Sequence, residues 1–334
     1  MKKSFKIKGN LKFNRMFDMI DKVNKRTGKN KVFIFFDMIY CYFRYQAGYV
    51  DYYVFNFAKL PDNVRKTFIT RGVNENYFNY LNSHDFYDYF DDKILFNKTF
   101  KDFVKRDYLD LRESNLEDFK KFVKKHNVIM CKPINLTCGK GIEKKEINSK
   151  TNVEKLYNYV KENNQLLIEE VVEQHKDMNK LYPYSVNTLR VVTCNVDGEV
   201  TVMFRALRIG SGKNVVDNFN SGGMMSVVNE EGIITKPAMN KKGDLFKVHP
   251  DTGTSIEGFK IPLFDEAIKF CCDAAKVVPE VGLVGWDIAL TPDGPVMIEG
   301  NNKPGHDIYQ SEIHLNSDGT GLKPFFDSVI YKKR

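Results

Sequence analysis

Apolar residues recur at different spacings along this chain. From residue 11 to about residue 90 they lie three or four residues apart, as in Phe13, Met16 and Ile20. Because this spacing places side chains on one face of a helix, we predict a mainly helical N-terminal region over residues 1–92.

Helices and short strands follow in mixed order. Helices are predicted at about 93–106, 115–126 and 151–163, and strands at 128–132 and near 142–147. A loop with two glycines separates the strands. This mixture predicts a compact α+β unit over residues 93–166.

Strands dominate the last part of the chain. The predicted strands are residues 165–172, 189–196, 199–209, 284–290 and 296–300, and the predicted helix is 262–278. Asp197-Gly198 joins the second and third strands, because this dipeptide favours a tight hairpin turn. We therefore expect a second α+β unit over residues 167–334, and an α+β fold class for the chain.

The most apolar region, Val32 to Leu60, is rich in Phe and Tyr. Charged residues at positions 37, 44, 51 and 59 interrupt it, so it never reaches the roughly 18 uncharged residues that a membrane helix needs. We predict no transmembrane segment. The pattern favours a buried helical core over contact with a membrane surface.

The composition is that of a folded protein in a reducing compartment. Apolar residues make up 42% of the 334 residues, enough for one large domain or two to three small ones. The six cysteines form no C-x-x-C motif and no Cys/His cluster, so we predict free thiols. The basic N-terminus lacks the apolar stretch of a secretory signal, and we expect a cytoplasmic protein.

A formal charge of +8 fits an anionic partner. Eight lysines lie between residues 120 and 145, in a region that also contains glycines. This clustering favours a local phosphate site over a nucleic-acid-binding face, so no nucleic acid is expected. A solvated lysine surface is the alternative.

The clearest candidate site is the final hairpin, where Asp287 and Glu299 flank a turn. If residues 291–295 form a five-residue loop, Leu290 pairs with Val296. Asp287 then lies opposite Glu299 on one face of the sheet. Two carboxylates placed together need a cation.

Asn301 returns to that face two residues after Glu299 and adds a neutral oxygen. Carboxylates, phosphate oxygens and waters are the usual ligands of Mg²⁺, so Asp287, Glu299 and Asn301 are predicted metal ligands. A surface hairpin with solvated acids is the alternative. The apolar residues just before Glu299 weigh against that alternative.

A predicted strand that ends at Lys132 runs into a loop with Gly139, Lys140 and Gly141. Glycines let backbone N–H groups approach phosphate oxygens, and the lysines supply charge, so we predict a mobile phosphate lid. The loop matches neither a Walker A motif nor a dinucleotide fingerprint, and a Gly-Lys-Gly turn alone is weak support.

Two further segments are candidates for ligand contact. The apolar strand around residues 166–172 could offer backbone groups to the edge of adenine, although alone it also fits an ordinary edge strand. Arg190, Arg205 and Arg208, near a Ser221-Gly-Gly turn, could bind a phosphate, a carboxylate or an oxyanion. Surface arginines are an equal alternative.

The order of these segments resembles the ATP-grasp superfamily. The matching segments are Asp92-Lys93, Lys132-Pro with its glycine loop, Ile168–Val172, Asp287 and Glu299-x-Asn301, within residues 90–310. Two short motifs, Asn187-Thr-Leu-Arg and Ser221-Gly-Gly, and the aromatic helical N-terminal region are most similar to those of the sugar-transfer-associated branch. That branch accompanies surface-polysaccharide synthesis.

The resemblance implies an ATP-grasp fold, in which two α+β subdomains hold ATP between them. It implies that two lysines contact the phosphates, that the loop at 137–141 closes over them, and that the segment at 169–172 meets adenine. These nucleotide-binding residues are Lys93, Lys132, Thr137, Gly139, Lys140, Gly141, Glu169, Glu170, Val171 and Val172. Asp287, Glu299 and Asn301 would carry one or two Mg²⁺ ions.

The resemblance also implies a carboxylate–amine ligase that forms an amide through an acylphosphate and releases ADP and phosphate. Arg190 and Arg208 would grip the acylphosphate or the substrate carboxylate. The implied partners are small carboxylates and amines, among them an amino sugar or a lipid-linked glycan, handled in the cytoplasm or peripherally at the inner membrane face. A kinase acting on a hydroxyl and a non-catalytic nucleotide-binding module are the alternatives.

The sequence departs from relatives that resemble D-alanine ligases. Glu170 stands where several of them carry a lysine, and Gly285 stands where they place an arginine ahead of the metal aspartate. The N-terminal region also lacks the alternating βαβ pattern found before many ATP-grasp domains. These departures bear on the acceptor substrate, which the sequence leaves open.

Overall fold

The helical periodicity of the N-terminal part becomes a series of consecutive helices in the computed structural model. Their bounds are α1 Phe13–Thr27, α2 Lys31–Tyr45, α3 Tyr49–Val54, α4 Asp62–Arg65, α5 Arg71–Leu81, α6 Asp88–Asp91, α7 Lys93–Thr99 and α8 Lys101–Val104. The prediction of a mainly helical N-terminal region is confirmed. The single helix expected at 93–106 is instead two helices that meet at Phe100, and Lys105 ends the second with a left-handed backbone.

The structure describes residues 13–136, 139–212, 217, 219, 222–306, 310–311, 315 and 318–332. The chain divides into two compact units. The first is Met1–Tyr77 with Gly305–Ser328, and the second is Phe78–Pro304 with Val329–Arg334. Every candidate site residue belongs by its position to the second unit. The expected boundaries at 92/93 and 166/167 remain a prediction.

The core of the first unit forms around one face of α2. Ile34, Met38 and Cys41 are buried there against aromatic side chains of the following helices. Arg65 makes a bidentate ion pair with Asp37, with both N–O distances at 2.8 Å, so these largely buried charges compensate each other. The buried core expected at 32–60 is thus confirmed for this face of α2 and for Tyr52, Phe55 and Phe57 after it, whereas the other face of α2 is exposed. Within the described residues, no helix is both long and apolar enough to cross a bilayer.

The second unit contains a small antiparallel sheet. Its strands are β1 Tyr108–Asp110, β2 Val128–Lys132, β3 Glu143–Glu146 and β4 Leu167–Glu170, in the order β1-β4-β2-β3. The helices α9 Leu116–Lys125 and α10 Val153–Glu162 supply Phe119, Val123 and Val160 to its core. Asn115 caps α9 by accepting hydrogen bonds from the backbone N–H groups of residues 117 and 118.

A larger antiparallel sheet completes this unit. Its strands are β5 Leu189–Val196, β6 Glu199–Ile209, β7 Met224–Val227, β8 Ala238–Asn240, β9 Leu245–Phe246, β10 Leu283–Thr291 and β11 Gly294–Asn301, in the order β11-β10-β5-β6-β7-β8-β9. The helices are α11 Lys176–Leu181 and α12 Phe264–Ala274, and a last helix, α13 Lys323–Ile330, starts in the first unit. β10 is buried along its whole length, as expected for a strand with partners on both edges.

Trp286, at the centre of β10, anchors the helices α6 to α8 on the large sheet. Its ring is fully buried and lies 5.5 Å from the ring of Phe100 and 6.1 Å from the ring of Phe90, measured between centroids. Its indole N–H donates a 2.9 Å hydrogen bond to the hydroxyl of Thr193. The aromatic cluster therefore buries a large apolar area while the polar end of the indole keeps a partner.

Removing a ring from this cluster should destabilise the second unit. We expect Phe100→Ala to cost about 3–5 kcal/mol, because the cavity would lie among rings that cannot collapse freely. Trp286 is the only tryptophan of the chain, so its fluorescence in a urea titration reports this directly. The control is Leu245→Ala, whose half-exposed side chain should change stability by no more than about 0.5 kcal/mol.

Candidate active site on the final hairpin

The turn of the final hairpin differs from the predicted turn. Leu290 pairs with Pro295 and not with Val296, because Thr291 pairs with Gly294 and only residues 292 and 293 form the loop. The prediction of a five-residue loop was therefore wrong. Taken alone, this register would place Asp287 opposite the residue before Glu299.

A β-bulge restores the predicted pairing of the two acids. Ile288 pairs with Met297 and Asp287 with Glu299, so Ile298 is an extra residue in β11. The bulge offsets the shorter loop by one residue. Both carboxylates consequently reach the same face of the sheet, as predicted, although by a different route.

The structure brings the three predicted metal ligands together. Asp287 and Glu299 lie directly opposite each other across the two strands, and the charge of Asp287 raises the pKa of Glu299. The Asn301 amide donates to Glu299 Oε1 at 3.4 Å and to the Gly285 carbonyl at 3.3 Å. One face of the hairpin therefore presents two carboxyl groups and one amide.

Two arginines from neighbouring strands hold Asp287. Arg190 donates to both carboxylate oxygens, with Nη2 2.8 Å from Oδ2, and Arg208 Nη1 lies 2.6 Å from the same Oδ2. Burial alone would raise the pKa of Asp287, but the two guanidinium groups outweigh it and hold this pKa at about 2. Asp287 is therefore a buried carboxylate anion.

Glu299 shows the opposite shift. Burial and the charge of Asp287 raise the pKa of its carboxyl group, and the arginines offset this only in part. A cation at this face would remove the repulsion between the two acids. The donor set of two carboxylates and an amide oxygen is of the hard type that Mg²⁺ binds, so the residues fit a magnesium ion.

Pro304 explains why residue 285 is a glycine. A Cβ atom at Gly285 would lie 2.9 Å from a Pro304 carbon, which is too close, and 3.5 Å from Arg190 Nη1, which is ordinary contact. The Arg190 side chain of the adjacent strand β5 therefore packs beside Gly285.

Arg205 and the Ser-Gly-Gly turn were also candidates. Arg205 lies three residues before Arg208 on β6 and forms its ion pair with exposed Glu230, at 3.9 Å. Arg208 is 3.5 Å from Asp217, whose carboxylate also accepts from the backbone N–H of residue 188. Ser221 lies outside the described residues.

Glu169 of the small sheet is a second buried carboxylate with several partners. It is 2% exposed and forms ion pairs with Arg106, at 2.7 Å, and with Lys132. Asn97 donates a further hydrogen bond of 2.9 Å. Burial alone would raise the pKa of Glu169, but Arg106 and Lys132 lower it well below its usual range.

Arg106 connects this carboxylate to the final hairpin. Its guanidinium group binds Glu169 and also donates to the carbonyl of Met297 and, at 3.3 Å, to that of Ile298. Arg106 thus holds the bulge of β11 against β4. The sequence prediction missed this arginine. Glu169 itself could have indicated that such a cation exists, because an acid inside an apolar strand requires a buried cation beside it.

The two predicted phosphate lysines lie beside this network. Lys93 Nζ donates to the carbonyls of Ile134, at 3.0 Å, and Leu136, at 2.6 Å, at the root of the glycine loop. Burial lowers the pKa of Lys93, while the charge of Glu299 raises it and that of Lys132 lowers it further. Lys93 therefore lies within the electrostatic influence of both Glu299 and Lys132.

The described part of the glycine loop has the backbone that glycine favours. Gly139 and Gly141 have φ angles of 69° and 70°, and a Cβ at Gly141 would lie 2.9 Å from a Pro133 carbon. Gln165 donates to the Gly141 carbonyl at 2.9 Å, and Lys140 lies exposed between the glycines. Thr137 lies outside the described residues.

The predicted adenine segment begins where β4 ends. Glu170 is the last paired residue of β4, and Val171 and Val172 lie beyond the sheet ladder, half-exposed. Their backbone groups are therefore outside the sheet pairing. Glu169 itself lies inside the sheet, paired with Tyr108 and Met130, and its side chain is occupied by ion pairs with Arg106 and Lys132.

A cluster that the sequence prediction missed lies beside Glu170. His126 Nε2 is 2.8 Å from Asp107 Oδ2, and His126 Nδ1 is 4.0 Å from Glu170 Oε1. Together these side chains offer ligand types that suit a metal, but Lys125 already forms an ion pair with Asp107. These residues are spread over more than sixty positions of the sequence. A search for metal-ligand residues at short, fixed spacing therefore does not find the cluster.

A family of known proteins matches most of the chain. The family described as sugar-transfer associated ATP-grasp matches residues 72–320. No curated protein matches the chain significantly.

Solved structures show similarity at low identity. A D-alanine-D-alanine ligase from Helicobacter pylori is 13% identical, with a TM-score of 0.44, over 74% of this chain and 62% of that chain. An N5-carboxyaminoimidazole synthase from Aspergillus clavatus, solved with ADP, is 11% identical, with a TM-score of 0.42, over 69% and 48%. An L-amino acid ligase from Bacillus licheniformis is 11% identical, with a TM-score of 0.39, over 73% and 48%. The chain spans about half to three-fifths of the length of these proteins.

Neutralising Glu169 should destabilise the second unit. We expect Glu169→Gln to cost about 3–5 kcal/mol, because Arg106 and Lys132 would remain buried without their anion. Thermal and urea unfolding at neutral pH measure this. The matched control is Glu230→Gln on an exposed ion pair, expected to change stability by no more than about 0.5 kcal/mol.

The same variant should remove part of the acid sensitivity of the protein. Because the pKa of Glu169 is lower in the folded chain than its ordinary value of 4.5, the unfolded chain takes up this proton first as the pH falls. The native protein therefore loses this stabilisation below about pH 4.5, and the glutamine variant has none to lose. The stability difference between the two should narrow with acidification; a constant difference would contradict the assignment.

Proposed function

Because the chain belongs to the sugar-transfer-associated ATP-grasp family, we propose that it is an ATP- and Mg²⁺-dependent ligase that joins a carboxylate to an amine. The observation that carries the proposal is the paired carboxyl groups of Asp287 and Glu299, flanked by Arg190 and Arg208. This arrangement concentrates anionic ligands and cationic donors at one face of a rigid sheet. Phosphoryl transfer needs both kinds of group, because charge moves between phosphate oxygens during the reaction.

ATP would lie between the two sheets of the second unit. In this proposal Lys93 and Lys132 contact its phosphates, and the loop with Gly139, Lys140 and Gly141 covers them. Val171 and Val172 offer backbone groups to adenine, since the sheet does not use them. The charge of Glu299 raises the pKa of Lys93. This electrostatic effect supports a site in which Lys93 and the proposed metal residues act on the same phosphates.

Asp287, Glu299 and Asn301 would hold the magnesium. The ion, when bound, neutralises charge on the phosphate oxygens and orients them for in-line transfer. A carboxylate has about four lone-pair positions, and the two arginines donate to three of those of Asp287. In this proposal Asp287 therefore keeps about one position for the metal ion while both arginines are bound.

Arg190 and Arg208 would bind the anionic substrate. A guanidinium group released from Asp287 lies beside the metal residues, where it can bind the substrate carboxylate bidentately. The same group would stabilise the oxyanion formed at the carbonyl carbon. In this proposal Arg190 takes over the oxyanion role of the arginine that relatives resembling D-alanine ligases carry where this chain has Gly285.

The proposed reaction has two steps. A carboxylate oxygen attacks the γ-phosphorus of ATP, the bond to the bridging oxygen breaks, and ADP leaves. The amine then attacks the carbonyl carbon of the acylphosphate, phosphate leaves, and the amine proton passes to solvent. Positioning and charge stabilisation supply the acceleration, so no covalent intermediate on the protein is required.

The proposed substrates follow from the family. We place the enzyme in the cytoplasm, at the inner face of the membrane, where it would join an acid to an amino sugar or a lipid-linked glycan during polysaccharide assembly. The test is an ATPase screen with pairs of amino acids and amino sugars, followed by mass detection of the product. An amide with release of phosphate supports the ligase, and a phosphorylated acceptor would identify a kinase instead.

Replacing Glu299 should stop turnover without unfolding the protein. We expect Glu299→Gln to lower the rate of ADP formation at least about a hundredfold, because the magnesium loses an anionic ligand. Full activity in this variant would contradict the metal assignment. Glu230→Gln is the control and should retain the native rate, and circular dichroism checks the fold of both.

Replacing Lys132 should weaken nucleotide binding. We expect Lys132→Ala to raise the Kd for ATP by about tenfold or more, because a charged hydrogen-bond donor to the phosphates is lost. Isothermal titration calorimetry measures this. The control is Lys121→Ala, at an exposed site on α9. Equal affinity in the two variants would count against the phosphate role.

A further inference from the structure

Helix α2 exposes an apolar stripe to solvent in the first unit. The residues on this stripe recur at helical spacing and occupy one third of the helix circumference. They are Val32, Phe33, Phe36, Ile39, Tyr40 and Phe43, with exposed fractions between 36% and 79%. At 1.5 Å per residue the stripe is about 17 Å long.

The opposite face of the same helix is buried in the unit core. Ile34, Met38, Cys41 and Tyr45 are at most 9% exposed. A helix that is apolar on all sides is normally covered on all sides, because a patch of large apolar side chains in water is costly. The stripe is therefore a surface that we expect a binding partner to cover.

The positive charge of the chain is concentrated in the stretch of sequence that precedes this stripe. Residues 1–31 contain eleven lysines and arginines and two aspartates, a net charge of +9, whereas the whole chain carries +8. The remaining 303 residues are therefore near neutral, at −1. The last basic residues of this segment, Lys29 and Lys31, directly precede the stripe.

Contacts within the unit place positive charge at the stripe. The Lys29 ammonium group lies 5.0 Å from the centre of the Phe33 ring, a cation–π contact. Helix α1, which carries basic residues in its last turn, packs against α2. At the other end, Arg44 follows Phe43 and is exposed. The partner must therefore be apolar in the middle and anionic around it.

We propose that this stripe docks on an anionic lipid bilayer. Phe and Tyr side chains partition well into the interfacial region, and lysines attract acidic headgroups, so the stripe and the basic segment act together. A second copy of the chain is disfavoured, because positive charge lies at both ends of the stripe, at Lys29 and Arg44, and would meet like charge on the other copy. The inference uses only residues outside the proposed catalytic unit and does not depend on the ligase activity.

The test is sedimentation of the full chain with vesicles. We expect binding to phosphatidylcholine vesicles that contain phosphatidylglycerol, and roughly tenfold weaker binding to pure phosphatidylcholine or at high salt. The double variant Phe36→Asp with Phe43→Asp should reduce binding by roughly tenfold or more. The control is Leu245→Asp, which changes a half-exposed apolar residue of the second unit and should bind as the native chain does.

A second measurement remains valid if the double variant folds poorly. In a Phe43→Trp variant the native Trp286 is fully buried and constant, so a blue shift on adding vesicles reports insertion of the stripe. Absence of the shift overturns the proposal. Equal binding to neutral and anionic vesicles also overturns it. So does concentration-dependent dimerisation through the stripe without vesicle binding, since the partner is then a second copy.

Discussion

The need to pair one buried carboxylate with positive charge determines how the second unit is assembled. Glu169 lies in the middle of a sheet strand with almost no access to water, where an unpaired charge would cost several kcal/mol. Arg106, Lys132 and Asn97 compensate it. Because Arg106 also donates to the bulge at Ile298, the requirement to neutralise one acid fixes the small sheet against the final hairpin.

The two buried acidic sites of this unit differ in how completely their charges are satisfied. Glu169 has cations that lower its pKa, so it is a stable anion in the folded chain. At the hairpin only Asp287 is held in this way, and the pKa of Glu299 remains raised. An acid left short of positive charge in a rigid site is a position where a cation can bind, and this physical difference separates Glu299 from Glu169.

In the first unit the buried charges are also paired, but part of the apolar surface is left exposed. Asp37 and Arg65 satisfy each other inside it, with two parallel hydrogen bonds. Helix α2, however, has more apolar surface than the unit can cover. A protein keeps such a surface when an external partner covers it, and the adjacent positive charge indicates which partner this is.

The sequence alone determined the elements and the chemical type of the site. The strands at 128–132, 189–196 and 199–209 agree with the structure to the residue, because alternation and turn residues act locally. The pairing of Asp287 with Glu299 was also predicted from one hairpin, but with a longer loop; in the structure a two-residue loop and the bulge at Ile298 give the same pairing. Tertiary structure decided the rest. Three features depend on which surfaces of the chain meet: the bulge, the ion pair of Arg106 with Glu169, and the exposed side of α2. Residues far apart in sequence carry no local signal of such contacts.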